Sequence, residues 1–167
     1  PVFIKETGLS NGMATGGLLL PINSTPLNYW SGRQTLLIDN SDEVLAFCVD
    51  HWEWSSSANQ SYSTNNLDAI FGTAKAGFIS ELYSESYAST LTTGSAGNLN
   101  AAAFQLALWE IITDDNPNAA GLQSSFSNGL VQKTGSTDMS IVRSATVMLG
   151  RIDGVYGDRN LICSCPP

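Results

Sequence analysis

The chain has 167 residues, 43% hydrophobic and 13% charged, and its seven Lys and Arg against fifteen Asp and Glu give a formal net charge of -8. One core of ordinary domain size fits that length, and the apolar fraction is too high for a disordered chain. The acidity excludes passive binding to phosphate: Lys5, Arg33, Lys75, Lys133, Arg143, Arg151 and Arg159 stand singly, so neither nucleic acid nor an anionic membrane is an expected partner.

No apolar run approaches the roughly 20 residues of a membrane span, so direct membrane insertion is not expected either. Abundant Ser, Thr, Asn and Gly with little Lys is the composition of an exported bacterial protein rather than a cytosolic enzyme. An extracellular or cell-surface location is the expectation. The start at Pro1 without a Met or an apolar leader fits an export signal already removed, and fits a boundary of other origin equally.

In chain order, short strands are expected at Val2 to Ile4, Gly17 to Leu20, Gln34 to Ile38 and Val44 to Val49, separated by Gly, Pro, Asn and Ser clusters. Asp39-Asn40-Ser41-Asp42 reads as a hairpin turn, because Asn and Asp bond their own backbone and tolerate left-handed conformations. The polar stretch from Ser55 to Asn66 reads as an exposed loop. Leu67, Ile70, Phe71, Ala74, Phe78, Ile79, Leu82 and Tyr83 then recur at helical spacing, with Lys75, Glu81 and Glu85 on the other side and a break near Gly72.

Ser89 to Asn100 is a connector, and a second helix is expected to start at Asn98 or Asn100 as cap, run to about Thr113 and stop before Pro117. Met139 to Ile152 carries a third helical pattern. Val155 to Ile162 is a candidate closing strand ahead of the Cys-containing tail. With no repeat and no linker, the expectation is one α+β domain over residues 1–167, an antiparallel β-sandwich or barrel-like sheet with two to three packed helices.

Two residues stand out chemically. At offsets of three, four and seven from Gln105 lie Ala101, Leu108, Trp109 and Ile112, so a primary amide sits inside an apolar helix stripe. A buried amide left unpaired costs about 1–3 kcal/mol, so something must answer it. Cys48 lies in the apolar run Val44 to Val49, on the same side of a strand as Ala46 and Val44. If the two side chains meet, the sulfur can attack the amide carbon, expel ammonia and store an acyl thioester that an amine or hydroxyl later opens. The bland alternative is a buried free Cys and a Gln bonded to a loop carbonyl.

Phe47-Cys48-Val49-Asp50 and the stretch from Ala101 to Ile111, with its Gln105-Leu106-Ala107-Leu108-Trp109 core, resemble the two halves of the bacterial thioester-domain signature. With a helix like Ala76 to Tyr83 between them, they also resemble exported proteins of environmental bacteria that carry PEP-CTERM sorting tails. The resemblance covers roughly Tyr29 to Ile152. It implies a Cys48–Gln105 thioester supported by Phe47 and Trp109, and a surface or matrix role. The chain departs from the family in a shorter Cys-to-Gln separation than pathogen adhesins have and in Phe104 where Thr is common, and no sorting tail is seen within residues 1–167.

His51 near Cys48 is a candidate acyl-transfer assistant, with an ordinary loop His as the competing reading. Asp39, Asp42 and Glu43, and Asp114 and Asp115 beside Asn116 and Asn118, have calcium-type oxygens, but turn chemistry accounts for both clusters and no metal site is expected. Trp30, Trp52, Trp54 and Tyr62 gather around a polar loop, as a contact surface or as core. Asn23-Ser24-Thr25 matches a glycosylation sequon that the following Pro26 disfavours.

Cys163 and Cys165 are too close for an easy mutual disulfide and are candidates for an intersubunit bridge. No glycine-rich phosphate loop, metal constellation or nucleophile beside a base is present, so no catalytic residue, no cofactor and no enzyme are expected. Two roles remain open. One is covalent attachment to amines or hydroxyls of protein or carbohydrate. The other is a structural filament subunit that self-associates by strand exchange, with residues 1–8, notably Val2-Phe3-Ile4, as the exchanged strand.

Overall fold

The computed structural model describes residues 1–50, 56–113 and 126–154, and the backbone of 162–165. Strand β1 (Val2–Leu19) opens the chain, followed by β2 (Leu27–Ile38), β3 (Asp42–Phe47) and β4 (Gln60–Asn66). Helix α1 (Leu67–Ser86) leads through a 3-10 turn (Tyr87–Leu91) into α2 (Gly94–Thr113). A two-residue strand β5 (Gln132–Lys133), helix α3 (Met139–Gly150) and β6 (Ile162–Cys165) follow. The sheet runs β3-β2-β1-β4-β6, with β5 on β1, and every described pairing is antiparallel. This is the α+β class expected from the sequence.

The two short strands expected in residues 2–20 are one long strand. Its register against β2 slips three times, between Glu6 and Gly8, between Leu9 and Gly12, and between Ala14 and Gly17. Each slip ends at a glycine. These glycines read as punctuation in the sequence, but they accommodate bulges that bend the strand without ending it. Val2, Phe3 and Ile4 pair with Tyr62, Ser61 and Gln60 of β4, and Ile4 also with Ile38 of β2, within the same chain.

The expected hairpin turn is present between β2 and β3. Asp39 and Asn40 have φ of 49° and 58°, and the Ser41 N–H donates to the Ile38 carbonyl at 3.0 Å. Consecutive left-handed residues match the twist of the flanking strands, and Asp and Asn tolerate them. Residues 60–66, expected as loop, form β4 instead: backbone pairing to β1 and β6 satisfies a segment with almost no apolar content to reveal it.

Helix α1 breaks at Gly72, as expected, where φ is 79° and ψ is 162°. Glu81 does not face solvent with Lys75 and Glu85: it is buried, and its carboxylate binds the backbone beyond α3. Helix α2 begins at Gly94, earlier than either expected cap. Asn98 and Asn100 reach outward instead, Asn98 Oδ1 accepting from the Gly12 N–H at 3.4 Å and Asn100 Nδ2 donating to the Ser89 carbonyl at 3.2 Å. The preceding strap crosses so close to Gly97 that a Cβ there would collide with the Thr92 carbonyl.

The sequence suggested a helix buried along one stripe, but residues 101–109 of α2 are buried on all faces. Beside Glu110, Ile111 is fully buried while Ile112 is only half-buried. β1 and β2, α1, the 3-10 turn and α3 all pack on α2, which makes it the central helix. Among the described residues, no helix is long and apolar enough to cross a membrane.

Helix α3 is capped by Asp138, whose side chain accepts from the Ser140 N–H at 2.9 Å. The Ser140 hydroxyl, and after it the Ser140 N–H, hold the Asp138 carboxyl below its ordinary value by hydrogen bonding, against a smaller opposing effect of burial. Asp138→Ala is therefore expected to cost about 1 kcal/mol in urea unfolding at neutral pH. Because the folded-state value is depressed, the contribution is complete above about pH 4 and is lost as pH falls through the folded value, so wild type and variant should converge in acid.

Candidate functional site

Cys48 lies one residue past the end of β3, at the point where the strand stops pairing with β2. The sequence placed Cys48 inside a strand that ran to Val49. In the structure the backbone groups of Cys48 are taken by a side chain instead: its N–H donates to Gln105 Oε1 at 2.8 Å, and its carbonyl accepts from Gln105 Nε2 at 2.7 Å. The carboxamide of Gln105 thus occupies the position of a neighbouring strand's peptide group. This answers the question that a polar amide in an apolar helix raised, since Gln105 is 1% exposed.

The approach of α2 to the end of β3 is set by aromatic packing. Phe104 is fully buried, with its ring centroid 4.5 Å from Phe47, 4.9 Å from Tyr83 and 6.1 Å from Tyr87. Each member of this cluster comes from a different element, β3, α1, the 3-10 turn and α2. Because Phe47 and Phe104 directly precede Cys48 and Gln105, the ring contact brings the chemical pair together as a consequence of packing. One helical turn on, Trp109 is buried edge-on to Tyr29 with centroids 6.2 Å apart.

The Cys48 thiol donates to the Asp50 carbonyl at 2.9 Å. Burial is the main cause that pushes its pKa up to about 11; the Asp50 carbonyl contact opposes this, and the negative charges of Asp50 and Glu6 add to it. The thiol is therefore protonated at neutral pH. Asp50 and Glu6 are the charged neighbours of Cys48 that sequence reasoning did not single out. Asp50 stood in the quoted motif without a role, and Glu6 gave no signal because it lies far away in the chain.

Cys48, Gln105 and Phe47 are thus brought together, with Trp109 on the same helix as Gln105. His51, Trp52 and Trp54 lie outside the described residues, as do Asp114, Asp115, Asn116, Pro117, Asn118 and the stretch 155–161. For Cys163 and Cys165 only the backbone is described, paired with Asn65 and Ser63 of β4. Asp39 of the first acidic cluster accepts from the Phe3 N–H at 2.8 Å, a turn role. Among the described residues no group of three or more metal-type side chains assembles.

Comparison with known proteins finds short matches only. Over 19 residues, 11% of the chain, it is 84% identical to glycine dehydrogenase (decarboxylating) of Rhodopseudomonas palustris strain BisA53, and 79% identical over the same length to the enzyme of that name from Bradyrhizobium diazoefficiens. The chain spans 2% of the length of these relatives. A stretch that short is far below the size of a domain and carries no activity with it. No family model matches the chain, and no solved structure does.

Proposed function

We propose that this chain is an exported bacterial surface or matrix protein that stores an acyl thioester between Cys48 and Gln105. The observation that carries the reading is the docking of one buried carboxamide on both backbone groups of the residue that bears the only described thiol. The resemblance of the two flanking stretches to thioester-domain motifs points the same way. The products expected are amide or ester links to amines or hydroxyls of protein or carbohydrate.

The chemistry balances without a cofactor. Cys48 Sγ attacks Gln105 Cδ, and negative charge develops on Oε1, which already accepts from the Cys48 N–H. A donor placed on that oxygen before reaction stabilises the tetrahedral species in the manner of an oxyanion hole. The Cδ–Nε2 bond then breaks, and the thiol proton leaves with the nitrogen as ammonia. In the second stage an acceptor amine or hydroxyl attacks Cδ, the Cδ–Sγ bond breaks, and the acceptor's proton returns to the sulfur.

With the thiol pKa near 11, only about one part in ten thousand is thiolate at pH 7. Ammonia release from freshly refolded protein is therefore expected to speed up about tenfold per pH unit until the thiol has titrated. Intact mass is the direct test. A deficit of one ammonia, absent in Cys48→Ala and abolished by methylamine, is the expected result. An undiminished mass in protein held at alkaline pH sinks the reading.

That second outcome would favour a different role, for which the high thiol pKa and the thiol's hydrogen bond to Asp50 speak. Gln105 would then be a core staple, and the chain a structural subunit whose residues 1–8 exchange between copies. An incoming strand would find the β4 partners of Val2 to Ile4 and the β2 partner of Ile4 in place.

A further inference from the structure

Arg33 of β2 is 6% exposed, yet only one of its guanidinium nitrogens has a protein partner: Nη2 donates to Ser10 Oγ at 2.9 Å, while Nε and Nη1 bond nothing and are shut off from solvent. Among the described residues no carboxylate pairs with it, although the chain carries fifteen Asp and Glu. A guanidinium keeps its charge across the whole range in which proteins stay folded, so it cannot escape burial by losing a proton. Water can fill hydrogen bonds but cannot cancel the charge, and an uncompensated buried charge weighs against the fold.

The strand next to Arg33 is shaped to receive it. β1 sets two residues, Ser10 and Asn11, opposite Arg33 alone, because its register slips between the Leu9–Gln34 and Gly12–Gly32 pairs. Bulges of this kind re-aim side chains beside functional sites. Here Ser10 takes Nη2, and Asn11 Nδ2 donates to the Thr90 and Thr92 carbonyls at 2.9 Å each, which ties the bulge to the 3-10 turn and the residue after it. Arg33 is also the ladder partner of Phe47, and it shares a face of β2 with Ser31, whose hydroxyl donates to the Ala102 carbonyl of α2 at 2.7 Å. Arg33 therefore projects from the side of the sheet that carries the helices. Ser86, directly before the 3-10 turn, is 1% exposed, and its hydroxyl also bonds nothing. Tyr87 beside it packs on Phe47 with ring centroids 6.3 Å apart, so both unanswered donors belong to elements that meet at Phe47.

We propose that Arg33 is the centre of an internal anion site between β2, the β1 bulge and the 3-10 turn, which takes one small monovalent anion of chloride or formate size. Charge sets the valence. β3, α2 and the 3-10 turn contain no Lys, Arg or His, so a phosphate or sulfate would bring more negative charge than one guanidinium balances. Burial sets the size, since no solvent reaches the two free nitrogens. The bound anion turns an uncompensated charge into an ion pair, and stability then depends on its concentration. None of this requires Cys48 and Gln105 to react.

Urea unfolding of the full chain at fixed ionic strength, with chloride or formate replacing sulfate, tests the site. Once the site fills, each tenfold rise in the bound anion should raise the wild-type folding equilibrium constant about tenfold beyond the change in Arg33→Met, which registers only the general salt effect. A response to chloride marks an inorganic ion, and a response to formate alone marks a carboxylate. Without either anion, Arg33→Met should be at least as stable as wild type, because an apolar side chain replaces an unpaired charge. If that variant does not fold, the magnetic resonance lines of chloride and formate carry the test: one of them should broaden with wild-type protein and sharpen again when urea unfolds it. Parallel anion dependence in the two proteins, or no broadening that unfolding reverses, overturns the proposal.

Discussion

Replacing Phe104 with alanine is expected to lower the unfolding free energy by about 3–5 kcal/mol, the usual range for deleting a buried aromatic. The side chain is fully buried and touches three other rings, from β3, α1 and the 3-10 turn. Its loss leaves a cavity that the surrounding elements can close only by moving together. Phe104→Leu should retain most of the stability, because much of the volume is kept. Urea unfolding of the two variants decides the matter: a cost for alanine below about 1 kcal/mol would mean that the cluster is not the contact joining α2 to β3. Formation of the proposed thioester should suffer in parallel, since the Phe47 contact is what brings Cys48 to Gln105.

Gln105→Ala is expected to cost about 2–4 kcal/mol, by a different route. It removes the Gln105 carboxamide that the Cys48 N–H and carbonyl bond among the described residues and leaves both backbone groups to find water or remain unpaired. Cys48→Ser makes the informative contrast. It keeps the backbone groups, and so keeps the docking of the carboxamide, while deleting the sulfur nucleophile. If Gln105 acts through the backbone of Cys48, unfolding should show a large loss for Gln105→Ala and a small one for Cys48→Ser in protein that has never formed the thioester. Equal losses would assign the stabilisation to the thiol rather than to the amide pairing.

The contrast between α2 and β4 explains how much of this fold was open to inspection in the sequence. The run Ala101-Ala102-Ala103-Phe104 to Trp109 is apolar and rich in helix formers, so the helix was plain, and its single polar interruption, Gln105, marked itself. That the helix is buried on every side was not plain, because it depends on α1, α3 and the sheet closing around it. β4 is the opposite case. Its sequence is nearly all polar, and it is a strand only because β1 and β6 supply backbone partners.

The Asp39-Asn40 turn and the break at Gly72 were readable because each rests on the conformational preference of one or two residues. The glycines of β1 misled for the same reason: locally they favour a break, and only the partner strand turns each into a bulge. Glu81 was assigned to the solvent side by charge, and its burial follows from a loop 72 residues further on.

For the candidate site, the sequence by itself singled out Cys48 and Gln105 as residue types able to react and placed Gln105 on a buried face. Only the tertiary structure decided that the carboxamide docks on the backbone of Cys48, and that burial with two nearby carboxylates keeps the thiol protonated. The physical reason is that helix and strand periodicity are carried by contacts a few residues apart. The meeting of residues 48 and 105 depends on four elements packing their aromatic rings into one cluster.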